Sequence, residues 1–407
     1  MRILMIVNPE RIDFYSYLHQ VPDVEWLLLW HEKSEQMMMS QDKLPLPFKE
    51  IYFWTDFTTP RQLLEKINPD RIVFFEIIDL RQIALNVAAS ALNIPTFYLE
   101  HGAAGDRNTA ILRWKETTFK KNKLPYLIKR FKHSFIDVIR SKIFYYSVSK
   151  GFNSIRSYIV YFLLPFKMLK NAPNKVLSKN LFRERIPWRS IVFNETNFEE
   201  YSLYTGIGKQ DAVFSGVPHF DHYFRESQQL KDHIVYIDHP YLEEGLLGWT
   251  EEHHQQIASA LFHFAEEKQI KLYIKLHPRS NLEYWKRYAR SEKYIQIIQT
   301  GDYTDLYLDS RLILGYSSSL LNGFLCAKKN VVLLGWHPQP QIFGADFSKT
   351  GLCHISYKTD ELYKNYDYWL ANNLSEKNET AWMEFMQKYN YPFDGKATQR
   401  VVNIICC

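Results

Sequence analysis

The feature that most limits what this chain can fold into is its rhythm, in which short apolar runs rich in β-branched and aromatic residues alternate with helix-length segments. Ile3 to Val7, Val24 to Trp30, Ile51 to Trp54, Arg71 to Ile77 and Thr96 to Leu99 read as buried strands, with helices over Arg61 to Ile67 and Leu80 to Leu92 between them. Strands joined through helices run parallel, because a parallel pair needs a long crossover connection. The pattern therefore predicts a Rossmann-like α/β domain. Ser190 to Glu195 reads as its last strand, and Asp211 to Pro218 as a further strand leading into a linker. At 407 residues the chain is too long for one typical core, so a second domain is expected. The rhythm resumes with strands at His233 to Asp238, Ile270 to Leu276, Tyr294 to Ile298, Arg311 to Gly315 and Val331 to Leu334. Helices are expected over Glu251 to Glu267, Leu320 to Ala327, Glu361 to Leu370 and Thr380 to Tyr389.

Ligands in open parallel sheets sit outside the carboxyl ends of the strands, so the residues that end each run are the ones to inspect. In IKLYIKLHPRS, Ile270, Leu272, Ile274 and Leu276 alternate with Lys271, Tyr273 and Lys275, and Pro278 ends the strand because it has no N–H for the ladder. His277, Pro278 and Arg279 then project beyond the sheet, and imidazole beside guanidinium suits a phosphate. A structural histidine in a tight turn is the alternative. The strand at His233 delivers Asp238-His239-Pro240. The one at Arg311 ends in Tyr316-Ser317-Ser318-Ser319 at the start of a helix, where hydroxyls, exposed N–H groups and the helix dipole favour an anion. Ser317 or Ser318 acting only as an N-cap is the plainer reading. In the first domain, Thr96 to Leu99 runs into Glu100-His101-Gly102-Ala103-Ala104-Gly105, where Glu100 or His101 can accept a proton from a hydroxyl in reach.

From Lys115 to Arg189 there are eighteen Lys or Arg against three acids, Glu116, Asp137 and Glu184, interleaved with residues such as Phe135, Ile139, Phe144, Tyr158 and Phe162. A basic, aromatic helical insertion of this kind suits an anionic membrane surface, an ordinary solvated helical insertion being the plainer reading. No recognised nucleic-acid motif accompanies it, and nucleic acid is not an expected partner. No apolar run reaches the roughly 18 residues of a spanning helix. The opening MRILMIVNPE reads as a first buried strand and not as a signal peptide. The four cysteines have no zinc-ligand spacing and are too few for a disulfide framework, which points to a reducing, cytoplasmic setting.

Two Rossmann-like halves, phosphate-binding candidates in the second and a candidate base in the first describe a GT-B glycosyltransferase, with the two domains facing an interdomain cleft. KLHPRS resembles the His-Pro motif, and Tyr316 to Ser319 the serine motif, of bacterial enzymes that use CMP- or CDP-activated donors. These include sialyltransferases, polysialyltransferases, Kdo transferases and glycerophosphotransferases. Glu100-His101-Gly102 looks like their acidic-acidic-glycine motif with His in the second place. The carboxyl half is most similar to the retaining β-Kdo transferases of capsule and O-antigen assembly, through Ser319 to Leu325, Lys329 to Val331 and Gly335, with Asp238 where they carry an aspartate.

The resemblance implies an acceptor domain over residues 1–215, including the basic insertion 115–189, and a nucleotide-sugar domain over 216–407 whose final helices pack back on the first. It implies transfer of Kdo from CMP-Kdo to a bacterial polysaccharide or glycolipid, with retention through a glycosyl-enzyme on Asp238. Glu100 or His101 serves as base, and Lys275, His277, Pro278, Arg279, Ser317, Ser318 and Ser319 hold the nucleotide. No metal or other cofactor is expected, since side chains and a helix terminus supply the positive field. The enzyme is expected at the cytoplasmic face of the inner membrane. An inverting CMP-sialic acid sialyltransferase, a CDP-glycerol glycerophosphotransferase and a non-catalytic glycan-binding scaffold are the alternatives.

Overall fold

The computed structural model describes residues 1–8, 15–30, 48–101, 136–164, 167, 173–224, 230–288, 293–299, 301, 303–316, 318–342 and 347–407. The chain divides into two compact units, Met1–His219 with Lys396–Cys407, and Phe220–Gly395. Each is a parallel-sheet, Rossmann-like α/β domain, the architecture the alternation predicts.

The first unit holds a seven-stranded sheet of β1 (Arg2–Ile6), β2 (Glu25–Trp30), β3 (Glu50–Phe53), β4 (Arg71–Phe74), β5 (Thr96–Leu99), β6 (Arg189–Val192) and β7 (Ala212–Phe214), in the order β3-β2-β1-β4-β5-β6-β7. Every pairing is parallel. Both faces are covered, which is why β1 reads as a continuous apolar run: Leu4 and Ile6 enter one core with Leu80, Ile83 and Leu85, while Ile3 and Met5 enter another with Tyr15, Leu18 and Phe97. Helix Leu80–Ala91 starts where it does because Asp79 accepts the Gln82 amide and Gln82 reaches back, a reciprocal cap. The terminal helix Ala397–Cys406 belongs to this unit. It sinks Val401 and Ile405 into the second core, and Arg400 Nε donates to the Ser215 carbonyl at 2.7 Å.

Three of the expected strands are shorter than their runs: of Asp211 to Pro218 only Ala212–Phe214 is strand. Arg71 to Ile77 stops at Phe74, and Ser190 to Glu195 is Arg189–Val192 followed by a cap, Asn194, whose side chain accepts the Asn197 amide and starts helix Glu195–Thr205. The apolar Ile191-Val192-Phe193 run concealed that boundary.

The second unit holds β8 (His233–Ile237), β9 (Lys271–Lys275), β10 (Ile295–Ile298), β11 (Leu312–Gly315), β12 (Val331–Leu334) and β13 (His354–Ser356), all parallel, in the order β10-β9-β8-β11-β12-β13. The strand order reverses between β8 and β11, the topological switch point where sheets of this class open to ligands. Burial along β9 alternates as expected, with Leu272 and Ile274 buried and Lys271 exposed. Thr250 caps helix Glu251–Glu267, whose Ile257, Leu261 and Phe264 pack on this sheet's core with Trp285 and Trp369.

Candidate active site

Register brings the candidate residues of the second unit to one edge. Ile237 pairs with Lys275 and with Gly315, and Gly315 pairs with Leu333, so the residues that follow leave four neighbouring strands at one level. Those residues are Asp238-His239, Leu276-His277, Tyr316 and Leu334-Gly335.

The His277 loop is held by its own backbone. The Arg279 amide donates to His277 Nδ1 at 3.1 Å, and the Ser280 amide donates to the His277 carbonyl at 2.9 Å. Gln299 clamps the turn from the next strand, its Nε2 donating to the carbonyls of His277 at 3.1 Å and Ser280 at 2.9 Å. With Nδ1 accepting, a neutral His277 carries its proton on Nε2. Lys275 does not reach outward. Its Nζ donates to the carbonyls of Leu276 at 2.9 Å and Gln299 at 2.7 Å, tying the strand end together. Arg279 is exposed and pairs with Glu244 at 2.6 Å.

Asp238 is buried at 6% exposure, and its amide donates to the Lys275 carbonyl at 2.9 Å. Burial raises its carboxyl to about 7, against the opposing pull of Ser280 and the His239 amide. His239 follows, stacked on Tyr241 with ring centroids 4.1 Å apart and lying 5.9 Å from His277. Burial, with the nearby His277 and Arg279, holds His239 down to about 3, so it is neutral at any working pH. On β11, Gly315 admits the helix that follows: a Cβ there would stand 2.9 Å from Leu321. Ser318 is the N-cap of helix Ser319–Cys326, its Oγ accepting the Leu320 amide at 3.3 Å. That bond leaves the hydroxyl proton to donate elsewhere. Ser319 is the first helical residue, and Ser317 lies outside the described residues.

A residue outside the sequence motifs stands at the same edge. His337 follows β12 by way of Gly335 and Trp336, is buried, and accepts the Trp249 indole N–H on Nδ1 at 3.1 Å. Its ring lies 5.0 Å from Tyr241 and 5.4 Å from Tyr316. The signal was present, since an apolar strand ending in a histidine is the same pattern that marked His277.

In the first unit, Glu100 and His101 end β5. Glu100 is buried, and burial raises its carboxyl to about 7, with the His101 charge and amide pulling the other way. Its Oε1 accepts the His101 amide at 2.9 Å. His101 Nε2 lies 3.6 Å from Glu76 at the end of β4. Tyr98, one turn of the pleat earlier, stacks on Tyr201 at 4.1 Å. Gly102 to Gly105 lie outside the described residues. A carboxyl poised near neutrality is suited to take a proton from a hydroxyl.

The model of the alpha-2,8-polysialyltransferase family matches residues 27–304, a span that takes in Glu100, His101, Asp238 and His277. No curated protein sequence matches. Among solved structures, the UDP-GlcNAc 2-epimerase of Neisseria meningitidis bound to UDP-GlcNAc aligns at a TM-score of 0.51 and 13% identity, over 99% of each chain. The UDP-GlcNAc 2-epimerase of Methanocaldococcus jannaschii aligns at 0.52 and 15%, over 99% of this chain and 98% of that one. The wall teichoic acid polymerase TagF aligns at 0.52 and 12%, over 99% and 88%. At such identities the likeness is one of fold.

Proposed function

The chain belongs to the alpha-2,8-polysialyltransferase family and is a glycosyltransferase built on two Rossmann-like domains; from that premise we propose that it is an inverting sialyltransferase using CMP-sialic acid, with a glycan or glycolipid hydroxyl as acceptor. The family match across residues 27–304 is the observation that carries this reading.

The site chemistry supports it. In the donor, the bond that breaks joins the anomeric carbon to the CMP phosphate, and negative charge grows on the departing oxygens. His277 Nε2–H and the Ser318 hydroxyl are the donors to meet that charge at the second unit's strand ends. The acceptor oxygen forms the new bond at the anomeric carbon as CMP leaves, and its proton passes to a base, for which Glu100, with His101 beside it, is the first unit's candidate. One displacement inverts the anomeric centre, so no protein nucleophile is required.

Transfer of Kdo with retention, which the short motifs in the carboxyl half first suggested, asks more of Asp238. Burial raises the Asp238 carboxyl to about 7, the same level as Glu100, so its protonation does not separate the two courses. The family match favours the sialic acid donor, and under that reading Asp238 shapes the strand end, where its amide donates to the Lys275 carbonyl. The test is to supply CMP-sialic acid, CMP-Kdo and CDP-glycerol separately and to measure CMP release and product mass. Turnover confined to CMP-sialic acid, with inversion seen by NMR of the product, is expected. Turnover with CMP-Kdo and none with CMP-sialic acid refutes the proposal.

A further inference from the structure

Residues 136–146 are helical, and Ile155–Phe162 forms the next helix of the basic segment. At 100° per residue, Ile136, Ile139, Ile143 and Tyr146 fall within about 80° of arc, and all four are exposed, Ile136 at 65% and Ile143 at 54%. Tyr145, on the far side of the same helix, is fully buried. The second helix repeats the arrangement. Ile155, Ile159 and Leu163 recur every four residues and are exposed, Ile155 at 79%, while Tyr161 and Leu164 are buried. The helices are packed together: the Tyr145 ring stacks on Tyr158 at 5.0 Å, its hydroxyl donates to the Tyr158 carbonyl at 2.9 Å, and Lys142 lies 4.3 Å over the Phe162 ring. Each row lies opposite its helix's buried side, so both look away from the core. Single apolar residues in solvent are ordinary, but rows on two adjoining helices mark a surface with a partner.

Charge identifies the partner. Of the three acids in the segment, Asp137 is taken up by the buried guanidinium of Arg81, and Glu184 is buried, accepting Ser157 Oγ at 2.6 Å and the Asn153 amide at 3.0 Å. Glu116 lies outside the described residues. Both described acids thus have partners within the fold, while Arg140, Lys150 and Arg156 stand exposed on or between the two helices. Exposed apolar rows with cations beside them fit the boundary of an anionic bilayer, where side chains enter the acyl region and guanidinium groups meet phosphates.

We infer that the helix pair 136–163 is an interfacial docking surface for an anionic lipid bilayer. The inference is independent of which sugar the enzyme transfers, and its readout is binding, so its failure is distinct from failure of the sialyltransferase reading. The full chain is mixed with phosphatidylcholine vesicles, with and without phosphatidylglycerol, and sedimented. Wild type should pellet with the anionic vesicles. Ile143→Glu with Ile159→Glu should weaken that binding at least about tenfold at low and high salt alike, since two apolar insertions are lost. Arg140→Glu with Arg156→Glu should remove the salt-sensitive part alone. Circular dichroism and thermal unfolding show whether the variants keep the fold, as substitution at exposed positions predicts. Wild type that ignores anionic vesicles at low salt overturns the inference. So does wild type that forms a dimer split by Ile143→Glu and Ile159→Glu without binding lipid, which makes the face a self-association surface.

Discussion

The backbone amide of Arg279 donates to Nδ1 of His277 at 3.1 Å, and this one contact keeps the proton of a neutral imidazole on Nε2. The turn around Pro278 therefore sets the tautomer of the ring. It does so through the main chain alone, without using another side chain.

Changing His277 to Ala should weaken CMP binding by about 1.5 to 3 kcal/mol, the range for a hydrogen bond to a charged group. Isothermal calorimetry measures it directly. UDP binding as tight as CMP, in wild type, would contradict the cytidine assignment.

Glu100 makes a prediction about pH. Its carboxyl titrates near 4.5 in the unfolded chain and at about 7 when folded, so the folded state holds the proton more tightly. Its contribution to stability is complete below about 4.5 and is lost as pH rises through about 7, a change of order 3 kcal/mol. Glu100→Gln should be more stable than wild type at pH 8 and little changed at pH 4. Urea unfolding at the two values checks this, and an unaltered pH dependence would rule out Glu100 as the buried acid responsible.

The same residue should shape activity. If Glu100 is the base, kcat/KM of wild type falls below an apparent pKa of about 7, and Glu100→Gln lowers it at least about a hundredfold while leaving CMP affinity in place. Loss of CMP binding in parallel would instead indicate a folding defect.

Asp238→Asn distinguishes the two stereochemical courses. Under inversion the variant should retain transfer within about tenfold, and wild type given donor alone should carry no sugar adduct on the peptide containing Asp238. An adduct seen by mass spectrometry would establish the retaining course.

Arg185 is buried, with Nε donating to the Ile77 carbonyl at 2.9 Å and a terminal nitrogen donating to the Tyr204 carbonyl at 2.5 Å. Arg185→Met should cost about 2 to 4 kcal/mol, because two buried carbonyls lose their partner. Denaturant unfolding reports it.

The fold was legible because parallel strands covered on both faces cannot hide: Ile3 to Ile6 and Ile234 to Ile237 are apolar at every position. Where composition is mixed the sequence says less. The edge strand His354–Ser356 is three residues long with a histidine and a serine in it, and its assignment rests on pairing with β12, which no local pattern announces. The terminal helix Ala397–Cys406 has a periodic apolar face, yet nothing in its residues tells which sheet receives it. At the site, strand-end polar residues were readable one at a time. Their partners were not: that Lys275 ties two carbonyls and Arg279 meets Glu244 depends on contacts at the loop's turn.

The path of the chain sets an order of assembly. Phe220–Gly395 is one continuous stretch, whereas the unit that begins at Met1 is completed by Lys396–Cys407, whose Val401 and Ile405 are wholly enclosed among Tyr15, Leu18 and Phe97. During synthesis from the amino end, the second unit has all its residues before the first does. The first unit's core is therefore completed only by a segment that the chain reaches after it has traversed the whole of the second unit.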